Sequence, residues 1–169
     1  MKFNFLVEEL ITKKDALHFL EITGGMLTHY DNNGNVIYQV FEPSEALSEG
    51  EVLSLEEKFL AGQGQNITPA RFSNDPIARE IISKQVRAEL EKAARILNIN
   101  GYTRIDAFVR VYEENRAEVI FIEANSLPGM TPATCIFHQA AIDHLKPLDF
   151  IDGILKFSFQ KFKKLNLIN

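Results

Sequence analysis

Hydrophobic and polar positions alternate loosely along FNFLVEELI (residues 3–11) and again along DALHFLEITG (15–24), which predicts two strands, the first running straight out of the N-terminus. MLTHYDNNGNVIYQVFE (26–42) predicts a hairpin, because Asn32, Asn33, Gly34 and Asn35 tolerate the positive φ angles of tight turns and sit between two β-rich runs. The polar, glycine-bearing stretch from Ser44 to Ser73 predicts an ordered functional loop or a mobile flap. A helix follows: Asp75 can cap it, Pro76 suits its first turn, and Ile77, Ile81, Ile82, Val86, Leu90, Ala93, Ala94 and Leu97 form one stripe at helical spacing, to be packed on a sheet. TRIDAFVRVY and AEVIFIEAN form a second hairpin around Glu113–Arg116. PATCIFHQAAIDHL reads as a short helix, and PLDFIDGILKFSFQKFKKL as a closing amphipathic one with its lysines toward the C-terminal end. Strands and helices mix without strict alternation, which predicts an α+β fold with a largely antiparallel sheet and flanking helices.

The second hairpin carries the chemistry. If it is symmetric about a four-residue turn, Val109 pairs with Ile120, Ala107 with Ile122 and Ile105 with Ala124 on an apolar face. The other face then pairs Phe108 with Phe121, Asp106 with Glu123 and Arg104 with Asn125. Like charges directly across a ladder repel, so two opposed carboxylates call for a proton or a cation between them. With the amide oxygen of Asn125 they make a hard, all-oxygen set suited to Mg²⁺, and Arg104 beside them is a fixed cation for a transferring phosphoryl group. The plainer alternative is a surface network in which Arg104 only neutralises Asp106 and Glu123.

Composition narrows the class of function. A chain of 169 residues, 46% hydrophobic, is long enough for one core and a single domain. No apolar run is long enough to cross a bilayer, the N-terminus lacks signal-peptide features, and the lone Cys135 suits a reducing compartment, so a cytoplasmic protein is expected. A net charge of −5 without a basic run argues against nucleic acid as the main partner and for a small ligand, and no membrane partner is expected.

GYTRIDAFV and FIEANSLPGMTPAT, with FLVEELI upstream, resemble the C-terminal half of an ATP-grasp ligase, most like the D-alanine–D-alanine ligases, from Phe5 to about Leu155. The combination of R-I-D with E-A-N-x-x-P-G-M-T across a hairpin carries the resemblance. It implies a C-terminal ATP-grasp subdomain, residues 1–169 being a fragment of a longer chain whose N-terminal and central domains are its partners. It also implies ATP and one or two Mg²⁺ ions, D-alanine or a similar amino acid as substrate, and a role in making peptidoglycan precursors for the cell wall; a homodimer is left open. By position, Glu8, Glu9, Leu10 and Ile11 would hold the adenine and Asp15 the ribose, and Lys58 would lie in a flap over the site. Asp106, Glu123 and Asn125 would hold magnesium, Arg104 and the backbone N–H of Gly129 would stabilise the acyl phosphate, and Thr134 with Cys135 would grip the second substrate. Lys13 and Lys14 stand where the family commonly has a glycine-containing turn, and Thr134-Cys135 replaces the commoner serine and aliphatic residue. The alternative reading is a non-catalytic nucleotide-binding or interaction module derived from the same fold.

Overall fold

The structure, a computed structural model, describes residues 5–47, 66–131 and 134–165. Its sheet comprises β1 (His18–Tyr30), β2 (Val36–Val40), β3 (Ser44–Ala46), β4 (Asn66–Ile67), β5 (Tyr102–Val111) and β6 (Ala117–Asn125). Three helices flank it, α1 (Pro76–Ile96), α2 (Cys135–Ile142) and α3 (Pro147–Lys164). The strand order is β4-β3-β1-β5-β6, β2 also pairs with β1, and every pairing is antiparallel, as the α+β reading expected. No described helix is long and apolar enough to cross a membrane.

β1 runs for 13 residues without interruption, joining the second predicted strand to the first arm of the predicted hairpin. It lies centrally with helices on both faces, so it is buried without a break from Ile22 to Thr28, and the polar-apolar alternation fades there. Leu20, Ile22 and Met26 face α1, whose Ile82, Val86, Leu90 and Ala94 complete one core. Leu27 faces the other way, into a second core with Phe41, Ile136, Ala140 and Phe150. α1 starts where expected, with the Asp75 carboxylate accepting from the Ala78 N–H at 2.8 Å and Pro76 in the first turn. Its stripe is narrower than predicted: Ile77, Ile81 and Leu97 are exposed.

The first predicted strand is corrected. Residues 5–13 have no regular secondary structure, and Leu6, Val7 and Leu10 are exposed. Alternation supplies two faces but not hydrogen-bonding neighbours, and among the described residues no strand runs beside this segment. It joins the sheet at its end, where Arg110 Nε donates to the Thr12 carbonyl at 2.7 Å and the Leu17 N–H to the Val111 carbonyl at 2.8 Å. In the intervening turn Lys14 has φ of 51°, a left-handed conformation that disfavours a side chain. Lys14→Gly is therefore expected to stabilise the chain by about 0.5–1 kcal/mol, read as a raised urea midpoint, because it removes that strain at the cost of one exposed ion pair with Glu9.

The stretch read as a flap is partly structural. Ser44–Ala46 pairs with Asn66–Ile67, and Ala70 and Phe72 are fully buried in the core. Residues 48–65, Lys58 among them, lie outside the described residues.

The β5–β6 hairpin departs from the symmetric register in its turn-proximal half. Arg104 pairs with Asn125, Ile105 with Ala124 and Asp106 with Glu123, as counted from the sequence. Nearer the turn the ladder slips by one, pairing Ala107 with Phe121, Phe108 with Ile120, Val109 with Val119, Arg110 with Glu118 and Val111 with Ala117, so that Ile122 is the extra residue of a bulge. The cause is Glu118. In a symmetric hairpin it would face Val111 on the apolar side; after the slip it faces Arg110, which donates to it at 3.1 Å, and Tyr112, whose hydroxyl donates to it at 2.8 Å. The Tyr112 and Arg110 hydrogen bonds hold the Glu118 carboxyl below its ordinary value of 4.5. A folded pKa below the unfolded one means stability that is present above about pH 4.5 and lost as the pH falls through the folded value. Glu118→Gln should accordingly flatten the acid limb of a stability-versus-pH curve below about pH 4.5.

Candidate functional site

The bulge delivers the end of β6 with Glu123 and Asn125 on the same face as Arg104 and Asp106 of β5. Arg104 grips Asp106 with both arms of its guanidinium, Nε donating to Oδ1 at 2.9 Å and Nη2 to Oδ2 at 2.8 Å. The Asn125 amide nitrogen donates to Asp106 Oδ2 at 3.3 Å and to Glu123 Oε1 at 3.1 Å, so the two carboxylates converge on one atom. Burial lowers the pKa of Arg104, but the hydrogen bonds and charge of Asp106, aided by Cys135 and Glu123, outweigh it and raise the pKa above its ordinary value. One positive and two negative charges leave an excess of one negative charge. Turned half a revolution about its last bond, the Asn125 amide offers its oxygen in place of its nitrogen, giving two carboxylates and a carbonyl for a hard dication. The donor chemistry fits Mg²⁺. Among the described residues no three His, Cys, Asp or Glu side chains cluster as a metal site, so carboxylates alone do not make one.

β1 supplies the floor. Thr23 lies opposite Asp106 and Gly25 opposite Arg104. The Thr23 hydroxyl is buried and has no hydrogen-bond partner among the described residues. On this face α2 presses directly on the strand: a Cβ on Gly25 would run into Gln139 Oε1 and come within 2.9 Å of Ile136. Gln139, fully buried, accepts from the Gly25 N–H at 2.8 Å and donates to the Thr23 carbonyl at 2.7 Å and the Ser44 hydroxyl at 2.9 Å. It thus ties α2 to the two β1 residues opposite the charged pair. Sequence reading missed it. The available signals were a glutamine inside the otherwise apolar CIFHQAAI helix and paired glycines within a strand, which mark close approach of another element.

α2 carries Cys135 in its first turn and Thr134 as its N-cap residue. Cys135 is half-buried; burial pushes its thiol above the ordinary value of 9.0, against the pull of Arg104. The Thr134 hydroxyl donates to the Thr131 carbonyl at 2.8 Å. Gly129 is not in the left-handed region, and a Cβ there would meet only the Thr134 methyl at 3.6 Å, so its backbone path does not demand glycine.

Of the predicted nucleotide residues, Glu8, Glu9, Leu10 and Asp15 are exposed and Ile11 is half-buried. Asp15 acts electrostatically on Tyr112, at the far end of β5, about 20 Å along the strand from Asp106 at ~3.3 Å per residue. The structure therefore brings together Arg104, Asp106, Glu123 and Asn125, with Cys135 beside them. Asp15 lies at the other end of β5, beside Tyr112.

A sequence profile described as the D-ala D-ala ligase C-terminus matches residues 4–156. The chain is 31% identical over 125 residues to the D-alanine–D-alanine ligase of Syntrophobacter fumaroxidans, covering 74% of this chain and 35% of the relative. It is 30% identical over 136 residues to that of Leptospira interrogans, covering 80% and 35%. It thus spans about a third of the length of these relatives. Its fold is similar to the D-alanine–D-alanine ligase of Coxiella burnetii, with a TM-score of 0.59 at 16% identity over 87% of this chain and 33% of that one. It also resembles the Bacillus anthracis ligase complexed with ATP, with a TM-score of 0.50 at 18% identity over 86% and 40%. With a profile matched over nearly all of its length and a charged hairpin end where the R-I-D and E-A-N motifs meet, the chain belongs to the D-alanine–D-alanine ligase C-terminal family.

Proposed function

We propose that this chain supplies the metal-binding and phosphoryl-stabilising wall of an ATP-dependent carboxylate–amine ligase that joins two D-alanine molecules or similar amino acids. The observation that carries the reading is the convergence of Arg104, Asp106, Glu123 and Asn125 at the end of one hairpin. In the reaction, a substrate carboxylate attacks the terminal phosphorus of ATP, giving an acyl phosphate and ADP. The amine of the second substrate then attacks the acyl carbon, loses a proton and expels phosphate as the amide forms.

Asp106, Glu123 and Asn125 would hold Mg²⁺, which when bound neutralises phosphate charge. Arg104 has a separate task. Kept protonated and pre-aimed by Asp106, it meets negative charge on the transferring group without reorganising at the moment of reaction. The Gly129 N–H would add a donor at the reacting carbonyl, and Thr134 with Cys135 would bound the second substrate's pocket. The raised thiol pKa suits Cys135 to shape that pocket and not to act as a nucleophile. Glu8–Ile11 and Asp15 would take the adenosine end, and Lys58 would close over the phosphates. The setting this implies is cytoplasmic synthesis of a cell-wall precursor.

Phosphoryl transfer depends on positioning and charge from more than one side. The test is release of phosphate from ATP with Mg²⁺ and D-alanine, by this chain alone and by this chain complemented with the remaining two thirds of a relative. D-alanine-dependent release only in the complemented sample is expected. Ligase-level release by the chain alone, or none with the complement, would defeat the proposal.

A further inference from the structure

A polar row crosses the sheet at the level of the charged cluster. Ser44 of β3 lies opposite Thr23 of β1, Thr23 opposite Asp106 of β5, and Asp106 opposite Glu123 of β6. Directly opposed residues share a face of the sheet, so these side chains stand in line. Most of the row is hydrogen-bonded. The Ser44 hydroxyl shares a hydrogen bond with the Thr68 hydroxyl at 2.6 Å and accepts from Gln139 Nε2 at 2.9 Å. Asp106 accepts from Arg104 and Asn125, and Glu123 from Asn125. The Thr23 hydroxyl, between Ser44 and Asp106, is buried with no hydrogen-bond partner among the described residues. A hydroxyl left so costs stability that a valine in its place would not. Opposed residues hold their Cβ atoms about 4.5–5.5 Å apart, close enough for a hydroxyl on one to donate to a carboxylate on the other.

We propose that Thr23 is a positioning residue for Asp106, its hydroxyl donating to that carboxylate when the cluster holds a divalent cation. The inference rests on the reading of Asp106, Glu123 and Asn125 as the Mg²⁺ ligands and adds a residue which that reading does not use. The need for it comes from Asn125. Its amide nitrogen donates to both carboxylates, and a donor and a cation cannot serve the same two oxygens. Once the amide turns to offer its oxygen, Asp106 loses that hydrogen bond and keeps only the two from Arg104. Arg104 has its own task at the transferring phosphoryl group, and any pull toward that charge loosens its grip on Asp106. Thr23 is independent of both events, because it stands on a strand paired on either side, with its carbonyl held by Gln139 at 2.7 Å. A carboxylate has lone pairs for more than two donors, so the hydroxyl adds to Arg104 and does not displace it. Partners of this kind, behind a ligating group, fix its orientation and raise the affinity for the metal.

Mn²⁺ alone, a hard oxygen-seeking dication whose free form is counted by electron paramagnetic resonance, tests this on the 169-residue chain. Thr23→Val is expected to raise the Mn²⁺ dissociation constant at least about tenfold, and Thr23→Ser, which restores the hydroxyl, to stay within about twofold of wild type. Without metal, Thr23→Val should unfold at a urea midpoint no lower than that of wild type, since no hydrogen bond is lost. Weaker metal binding at undiminished stability is a split that a purely structural threonine would not give. Glu123→Gln reports on the underlying reading and should weaken Mn²⁺ binding at least as much. If Glu123→Gln weakens binding and Thr23→Val does not, the role of Thr23 falls while the metal site stands. If wild type binds no Mn²⁺, or Glu123→Gln binds it as wild type does, both fall. A lowered urea midpoint for Thr23→Val without metal, or Thr23→Ser binding as weakly as Thr23→Val, would also overturn the proposal.

Discussion

Gln139→Leu is expected to lower the unfolding free energy by about 2–4 kcal/mol, seen as a lower urea midpoint at unchanged slope. Leucine has nearly the same bulk, so the effect does not come from a cavity. It comes from the Gly25 N–H and the Thr23 carbonyl, which lose their buried partner at a place where α2 leaves no room beside the strand. Gln139→Glu should fall between the two, because it can still accept from Gly25 but cannot donate to Thr23. A leucine variant within about 0.5 kcal/mol of wild type would show that the three hydrogen bonds contribute no net stability. The expected loss bears on function because Thr23 and Gly25 are the residues opposite Asp106 and Arg104.

The second large effect concerns the carboxylates. Asp106→Asn and Glu123→Gln, each removing a charge at constant volume, are expected to reduce Mg²⁺-dependent turnover of the complemented protein by about a hundredfold or more, consistent with the several kcal/mol of charge stabilisation that a bound metal supplies. The double variant should cost much less than the sum of the two, since both carboxylates would serve one ion. Asp106→Asn carries an additional structural cost, because Arg104 loses its bidentate acceptor; Glu123→Gln does not. Urea unfolding separates the two contributions. Turnover unaffected by either change at saturating Mg²⁺ would remove the metal from the reading.

Wherever local pattern decides the structure, the sequence could be read. Asp75-Pro76 marks the start of α1, the Asp31–Asn35 turn joins β1 to β2, and the two hairpin strands are bounded as expected. The pairing of Asp106 with Glu123 followed from counting. What escaped depended on neighbours. FLVEELI has the alternation of a strand, but a strand exists only beside another. The slip near the turn depended on a parity conflict at Glu118, visible once Val111 is known to be buried. Gln139 drew no notice because one polar residue in a helix gives no period. Positions 48–65, where Lys58 was expected to cover the phosphates, lie outside the described residues.

The bulge at Ile122 has a consequence for how this hairpin can vary. It works as a suppressor works on a frameshift: one residue gained in β6 cancels the offset set near the turn before it reaches Asp106 and Glu123. The hairpin is thus divided into two reading frames. The turn, Glu118 and Tyr112 lie in one, and the carboxylates lie in the other. A change of length in the connection would need a compensating gain or loss between Ala107 and Glu123 to keep Asp106 opposite Glu123. With that compensation the charged end keeps its register whatever the connection does.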